Sequence, residues 1–387
     1  MNTRSRIRRG ALTLLAVLTG TVAVATPHAS AGGLVRATPG DGSAVIYIAQ
    51  TGFPGLTNGM KYNSSGGNID AGRIDDTHFW VSFSGIGGGT YTNAQIGMWN
   101  GSDGPAVDPV CTIDKTKDNG SDITVWFRCI PHPYWPSLVG TTLFVTVTAA
   151  QRVDRAGVTA PSFFALTSSD PTAAVHTPLN QYRSAGVGAA SVTRLALGQY
   201  SVRIPNAAYA KGSGIAVATA LSVTSAFDPA YTRYCNPQNW GSSGPDMVVN
   251  VNCYMGVGTL ADAPFSLRLT ARTHSGGSQL GGAQWVSNPA SAGHDAVGYG
   301  WNSTGGANHV ASIGVGLSDV HFGGATGQPL LVKSAMVSAY GGSQRCTLEA
   351  LGINPISNEL FTQVRCYEPF SGDPVANGRY TVSVAQF

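Results

Sequence analysis

The chain has 387 residues, of which 11% are charged and 50 are glycine. Four of its 23 basic residues lie before residue 32, so the remainder carries 19 basic and 20 acidic groups, a net charge of −1. A chain without excess positive charge has no basic surface with which to neutralise phosphates. We therefore expect no nucleic acid partner.

The first 31 residues are predicted to be a signal peptide. Four arginines precede an apolar stretch from Ala11 to Ala25, and a small-residue cleavage site follows at positions 29–31. The apolar stretch is too short for a stable membrane span, and no later stretch reaches the necessary length. We therefore expect a secreted, extracellular protein, exported by the Sec route rather than the twin-arginine route, with no membrane insertion after signal cleavage.

The composition of the mature chain favours strands and turns. Glutamate, lysine and leucine build helix surfaces, whereas this chain is rich in glycine, serine, threonine, valine and tyrosine. No stretch after the signal peptide shows a convincing helical period. The sequence therefore predicts an all-β protein.

In chain order, four elements follow the signal peptide. The first is an aromatic-glycine turn at 62–67, and the second is a valine-centred strand at 79–83. A hairpin follows, with an Asn-Gly turn within 117–122, and then a strand at 143–147 that, apart from Phe144, places its apolar residues at every second position. Period two with one apolar face is the pattern of a half-buried strand.

The same four elements recur twice. They lie at 182–186, 200–204, 241–246 and 265–269, and again at 301–306, 318–322, 352–357 and 380–384. This recurrence predicts three tandem antiparallel β-sandwich-like domains of about eight short strands each, arranged in a row, every one with its own core. The predicted domains span 32–152, 161–273 and 282–387.

The six cysteines follow the recurrence. One pair flanks the hairpin turn of each copy: Cys111 and Cys129, Cys235 and Cys253, Cys346 and Cys366. Six cysteines allow fifteen pairings, but a pair that recurs within every copy must close within that copy. Metal ligation would need four ligands at short spacing, and none occurs. We therefore predict one intradomain disulfide hairpin per domain.

These landmarks resemble repeat units of secreted actinobacterial β-proteins of unknown function. The resemblance rests on the Tyr-x-Ser-x-Gly turn that begins at Tyr62, the aromatic strand, the cysteine hairpin and the alternating closing strand, and it covers Ala44 to Phe387. It implies export and the disulfide hairpin. It supplies no catalytic residues.

The sequence predicts neither an enzyme nor a cofactor or metal site. The G-x-S-x-G motif of serine hydrolases is absent, and Gly241–Gly244 is one residue too short. Asp75 and Asp76 are the sole adjacent acidic pair, and we interpret them as solvated turn residues. Four histidines of the third copy match no ligand spacing and read as surface residues: His274, His294, His309 and His321.

The first copy carries a candidate ligand platform. In the strand before the second cysteine, Cys129 and the residues two and four positions earlier share the inner face, so Trp126 should point outwards. The loop that follows is stiffened by prolines and contains Tyr134 and Trp135. Exposed aromatics on a rigid scaffold suit sugar rings or a protein partner. Alternatively, the three aromatics fill the contact between copies one and two, or cover a sheet edge.

Three functions remain open on the sequence alone. The first is a non-enzymatic binding or structural protein that recognises cell-wall or extracellular polysaccharide, or a secreted or cell-surface protein. The second is a protein-directed agent, such as a protease inhibitor or toxin component, that uses the proline-stiffened loop 131–136. The third is a hydrolase, although no nucleophile and base, or pair of acids, can be assembled for it.

Overall fold

The structure is a computed structural model. It describes residues 43–386 except for 51–55, 89–92, 100–109, 131–142, 151–161, 167–170, 179, 184–186, 209–213, 221–231, 272–279, 290–293, 296–299, 327–332 and 370. The predicted signal peptide lies outside the described residues.

Domain 1 consists of two antiparallel sheets. Their strand orders are β3-β4-β7-β6 and β5-β8-β1-β2. The strands are β1 (Ser43–Gln50), β2 (Leu56–Asn63), β3 (Ile69–Arg73), β4 (His78–Ser84), β5 (Asn93–Trp99), β6 (Val110–Asp118), β7 (Asp122–Ile130) and β8 (Leu143–Ala150).

Domain 2 repeats this strand order and adds one short edge strand. Its sheets are β10-β12-β13-β16-β15 and β11-β9-β17-β14. The strands are β9 (Ser162–Leu166), β10 (Val175–His176), β11 (Asn180–Arg183), β12 (Ser191–Ala196), β13 (Gln199–Ile204), β14 (Gly214–Ala220), β15 (Arg233–Ser243), β16 (Asp246–Met255) and β17 (Phe265–Ala271).

Domain 3 has the same arrangement as domain 2. Its strands follow the orders β19-β21-β22-β25-β24 and β20-β18-β26-β23. They are β18 (Leu280–Val286), β19 (His294–Asp295), β20 (Gly300–Asn302), β21 (Asn308–Gly314), β22 (Leu317–Thr326), β23 (Lys333–Ala339), β24 (Arg345–Ile353), β25 (Glu359–Tyr367) and β26 (Tyr380–Gln386).

The all-β class and the sandwich architecture are therefore confirmed. No α-helix occurs among the residues that the structure describes, and none of them forms a helix that could cross a membrane. The segments 151–161 and 272–279, which separate the sandwiches, lie outside the described residues. The domain boundaries stay predictions, and β18 begins at Leu280, just before the predicted start of domain 3.

Each sandwich has its own apolar core. In domain 1 the rings of Phe79 and Phe127 stack with their centres 5.4 Å apart. In domain 2, Tyr200 and Phe265 lie 5.3 Å apart. The core of domain 3 contains the fully buried Phe322 and Tyr380. Burial of such large side chains between two sheets is the main stabilising contribution in sandwiches of this kind.

The predicted disulfide hairpins are confirmed. The bonds are Cys111–Cys129, Cys235–Cys253 and Cys346–Cys366. In each domain the two cysteines lie directly opposite one another on the two strands of a hairpin: β6 and β7, β15 and β16, or β24 and β25. Three such bonds in one chain are typical of an oxidising, extracellular environment.

The domains do not form a linear row. The edge strands β5, β14 and β23 contact one another, and one parallel pairing between β24 and β5 joins domain 3 to domain 1. A cavity of about 80 Å³ lies between the three domains and is lined by Cys111, Cys235 and Cys346. The domains thus surround an approximate threefold axis. This arrangement covers edge strands, which would otherwise expose unpaired backbone groups.

Candidate functional site

Two tryptophans lie side by side on the outer face of domain 1. Strand β4 buries Phe79, Val81 and Phe83 in the core, so the alternation of the strand turns Trp80 outwards. In the same way, β7 turns Trp126 outwards. The two tryptophans are paired directly across the strands, and both are half-buried.

A glycine makes room for the first tryptophan. Gly72 on β3 lies opposite Trp80, and a Cβ atom placed at Gly72 would overlap the indole ring. Because no side chain stands at this position, the indole can extend over β3. The glycine therefore broadens the aromatic area in the middle of the sheet.

A lysine covers part of the second tryptophan. Lys115 is opposite Trp126 on the neighbouring strand β6, and its Nζ atom lies 4.6 Å from the centre of the indole ring. This is the geometry of a cation–π contact. The lysine is exposed, so its ammonium group remains accessible to solvent and to a ligand. The row across the sheet thus reads glycine, tryptophan, tryptophan, lysine.

The neighbouring rows are polar. On one side, the hydroxyl oxygens of Ser82 and Thr124 lie 3.3 Å apart, and exposed Asp70 and Lys117 flank them. These groups can donate or accept hydrogen bonds at the border of the aromatic pair. Stacking area bordered by hydroxyl, carboxylate and ammonium groups is suited to a ligand with one apolar face and several hydroxyl groups.

On the other side of the aromatic pair, Asp75 organises the turn between β3 and β4. Asp75 accepts hydrogen bonds from the backbone N–H groups of Thr77 and His78, at 2.8 and 2.9 Å, and contacts the ring of His78. Burial raises the pKa of Asp75, but these hydrogen bonds outweigh burial and lower it well below the usual range. An ionised Asp75 that caps the turn between β3 and β4 is consistent with the turn role predicted for it.

The equivalent positions of the other domains differ. Where domain 1 has the tryptophan pair, domain 2 has Ser201 and Asn250, and domain 3 has Asp319 and Gln363. Domain 3 instead stacks His321 on Phe361 one row away, with the ring centres 5.7 Å apart. The aromatic pair is thus a property of domain 1, although the scaffold beneath it recurs.

The three predicted ligand residues have different outcomes. Trp126 lies on the outer face, as the strand alternation predicts, whereas Tyr134 and Trp135 lie outside the described residues. The sequence reasoning missed Trp80, although the same alternation within 79–83 signals it. Trp126 contacts Lys115 of its own sheet, whereas domain 1 reaches domain 2 through β5 and β6. Its ligand role stays a prediction.

Other clusters of titratable side chains in the described part of the chain give little support for a metal site or a catalytic site. No group of three or more histidine, cysteine, aspartate or glutamate side chains there is placed to hold a metal ion. His309 and His321 are opposite one another on β21 and β22, but they form no such group. In domain 2, Asp262 is engaged by Arg194, Gly198 and Tyr200 and stabilises a turn.

Comparisons with known proteins add no relatives. No protein-family model, no curated protein and no solved structure matches the chain.

Proposed function

We propose that the protein is a secreted, non-enzymatic binding protein that recognises extracellular or cell-wall polysaccharide through the outer face of domain 1. The observation that carries this proposal is the pairing of Trp80 with Trp126 in the middle of a polar sheet face. The three disulfides support an extracellular location.

The chemistry of the face supports a sugar rather than a flat apolar ligand. A pyranose ring has a C–H face that packs on an indole and hydroxyl groups at its edge. On this sheet the indoles are bordered by Ser82, Thr124 and Lys115, which match such an edge. Neighbouring residues across antiparallel strands are about 5 Å apart. Two adjacent tryptophans can therefore stack against consecutive sugar units of one polysaccharide.

Affinity electrophoresis tests this proposal. The mature chain is run through gels that contain soluble xylan, hydroxyethylcellulose, laminarin or polygalacturonate, and it is also incubated with insoluble chitin and purified cell walls. We expect retardation or co-sedimentation with at least one glycan. We expect Trp80→Ala and Trp126→Ala each to weaken binding by about 10-fold, because each removes one stacking surface.

Phe361→Ala is the matched control. Phe361 is a half-buried aromatic residue on the equivalent sheet face of domain 3. Its removal tests whether the loss of any aromatic ring from an outer sheet face weakens glycan binding. We expect its binding to equal that of the wild type. The proposal is wrong if no glycan of the panel is bound, or if the tryptophan variants bind as well as the wild type.

A further inference from the structure

Two exposed lysines lie next to the tryptophan pair of domain 1. Lys115 and Lys117 are alternate residues of β6, which forms one edge of the sheet, and they are paired with Trp126 and Thr124 of β7. Val110, at the other end of β6, packs against domain 2. The lysine end of the strand is therefore the part that remains open to a ligand of the outer face.

A β-bulge turns these lysines outwards. Ile113 is 1% exposed and pairs with Phe127 in the core, so an unbroken alternation would turn Lys115 inwards as well. The register shifts between Ile113 and Lys115, because Asp114 is an extra residue on β6. A bulge of this kind re-aims the side chains that follow it. The two cations thus reach the face of the aromatic pair through the geometry of the strand.

The scaffold does not require a lysine at either position. Domains 2 and 3 have a register shift at the same place in the equivalent strands, between Pro237 and Asn239 and between Leu348 and Ala350. The residues that correspond to the two lysines are all uncharged: Asn239, Gly241, Ala350 and Gly352. The cations therefore occur in the same domain as the tryptophan pair, as expected if both serve one ligand.

Neither lysine forms an ion pair with a carboxylate in the part of the chain that the structure describes. The aspartates of the same hairpin have other partners. Asp114 lies 3.7 Å from a guanidinium nitrogen of Arg128, Asp118 accepts hydrogen bonds from backbone N–H groups at 2.8 to 3.0 Å, and Asp122 accepts one at 3.1 Å. Exposed Asp70 lies on β3, at the opposite edge of the sheet. The β6 side of the face is therefore positively charged.

The contact between Lys115 and Trp126 distinguishes acidic from neutral ligands. The ammonium group lies 4.6 Å from the centre of the indole ring, so a sugar that stacks on the whole of this ring must displace it. A neutral sugar offers the displaced ammonium group only hydroxyl oxygens. An acidic sugar offers it an ion pair with a charge-assisted hydrogen bond, which is the stronger interaction. The arrangement therefore favours an anionic ligand over a neutral one of equal size.

We propose that the ligand of the outer face of domain 1 is an acidic polysaccharide, whose anionic groups bind Lys115 and Lys117 while its sugar rings stack on the two tryptophans. The inference rests on the proposed function, because it names the class of glycan that this face binds. Alternate residues of a strand are about 7 Å apart, so the two ammonium groups reach neighbouring sugar units. A lysine is a point charge that accepts carboxylate and phosphate alike.

Biosensor measurements with matched pairs of immobilised glycans test this inference. The first pair is polygalacturonate and its fully methyl-esterified form, and the second is xylan with and without glucuronate side groups. A glycan whose units are joined by phosphodiesters tests phosphate as the source of the charge. We expect about 10-fold tighter binding to an acidic glycan than to the neutral ones, and we expect this preference to disappear when the salt is raised from about 0.05 to about 0.5 M.

The variant Lys115→Gln/Lys117→Gln removes both charges and keeps polar side chains. We expect it to bind the preferred acidic glycan about 10-fold more weakly, since each exposed ion pair changes an equilibrium constant by up to about 5-fold. Its binding to neutral glycans should not weaken. Lys61→Gln is the matched control, because Lys61 is an exposed lysine on β2, an edge strand of the other sheet of domain 1. We expect this variant to bind as the wild type does.

Three results would overturn the inference. The first is binding of a neutral glycan with no preference for any acidic one, which would leave the proposed function standing. The second is a double lysine variant that binds acidic glycan as the wild type does. If that variant also self-associates in size-exclusion chromatography, the lysines protect the edge of β6 from pairing with other strands. The third is an equal loss of binding in Lys61→Gln, which would indicate attraction by net charge alone. Binding to no glycan at all would instead contradict the proposed function itself.

Discussion

Gly72 determines how far the indole of Trp80 extends over the outer face of domain 1. A Cβ atom at this position would lie 2.4 to 2.7 Å from three atoms of the ring, so the indole would have to shift. We therefore expect Gly72→Ala to displace the indole and to weaken glycan binding by about 5-fold, with a loss of unfolding free energy below about 1 kcal/mol. Affinity electrophoresis and urea unfolding measure the two effects.

Gly314→Ala is the matched control for this variant, because a Cβ atom there meets only Cβ of Leu317, at 3.7 Å. If both glycine variants bind glycan as the wild type does, the position of Trp80 is not important for binding.

Asp262 links three groups of domain 2 through one carboxylate. Burial raises the pKa of Asp262, but hydrogen bonds from Arg194, the N–H of Gly198 and the hydroxyl of Tyr200 outweigh burial and lower it. A depressed pKa in the folded state contributes stability above the unfolded-state pKa of 3.8, and this stability is lost as the pH falls through the folded-state pKa.

We therefore expect Asp262→Asn to lower the unfolding free energy by about 2 kcal/mol at neutral pH, because the charged hydrogen bonds are weakened. The difference from the wild type should shrink as the pH falls below 3.8, the unfolded-state pKa. Urea unfolding at a series of pH values measures it. A difference that stays constant from neutral to strongly acidic pH would contradict this role of the carboxylate.

At the scale of elements, local signals predicted the hairpins well. The Asn-Gly turn of the first hairpin joins β6 and β7, and Gly120 has the positive φ of 89° that such turns need. The direction of Trp126 followed from the period of two along β7. Both predictions depend on residues within about ten positions of one another, where backbone sterics decide the outcome.

The central strands could not be recognised in the same way. In β14 and β23, small residues such as Ala216, Ala218 and Ala335 are buried, and the strands contact other domains as well as their own. When both faces of a strand are covered, the alternation of apolar and polar residues disappears. The partners of these strands are also distant along the chain, so the closed arrangement of the domains left no local signal in the sequence.

The disulfides stabilise hairpins whose strands are already paired. For Cys235→Ala/Cys253→Ala we expect a loss of about 3 kcal/mol of unfolding free energy, because the reduced chain can separate the ends of a loop of this length in the unfolded state. Urea unfolding of this variant measures the loss, and wild-type protein treated with a reductant should lose at least as much. An unchanged urea midpoint would show that the Cys235–Cys253 bond does not change the free-energy difference between the folded and unfolded states.

At the scale of the whole molecule, only some strands of each domain take part in the threefold arrangement. Domain 1 contacts its neighbours mainly through β5 and β6, whereas Trp80 and Trp126 lie on β4 and β7.

The contact between domains 1 and 2 includes a buried polar group that couples their stability. Gln95 is 1% exposed, donates a hydrogen bond to the hydroxyl of Ser266 at 2.8 Å and accepts one from the hydroxyl of Thr219 at 2.5 Å. Removing the amide leaves the buried hydroxyl of Thr219 without this acceptor, whereas Ser266 keeps the hydrogen bond that it accepts from Nδ2 of Asn93 at 2.7 Å. A buried polar group left unsatisfied costs about 1–3 kcal/mol.

We expect scanning calorimetry of the wild type to show one cooperative transition, because each domain covers an edge strand of its neighbour. For Gln95→Ala we expect a lower midpoint temperature and a transition that splits into more than one step, because the contact between domains 1 and 2 is weakened. Gln363→Ala, on the half-buried outer face of domain 3, changes the same side chain away from the interface and should leave the transition unchanged. Three separate transitions in the wild type, or equal shifts in the two glutamine variants, would show that the domains fold independently and that their closed arrangement contributes little to stability.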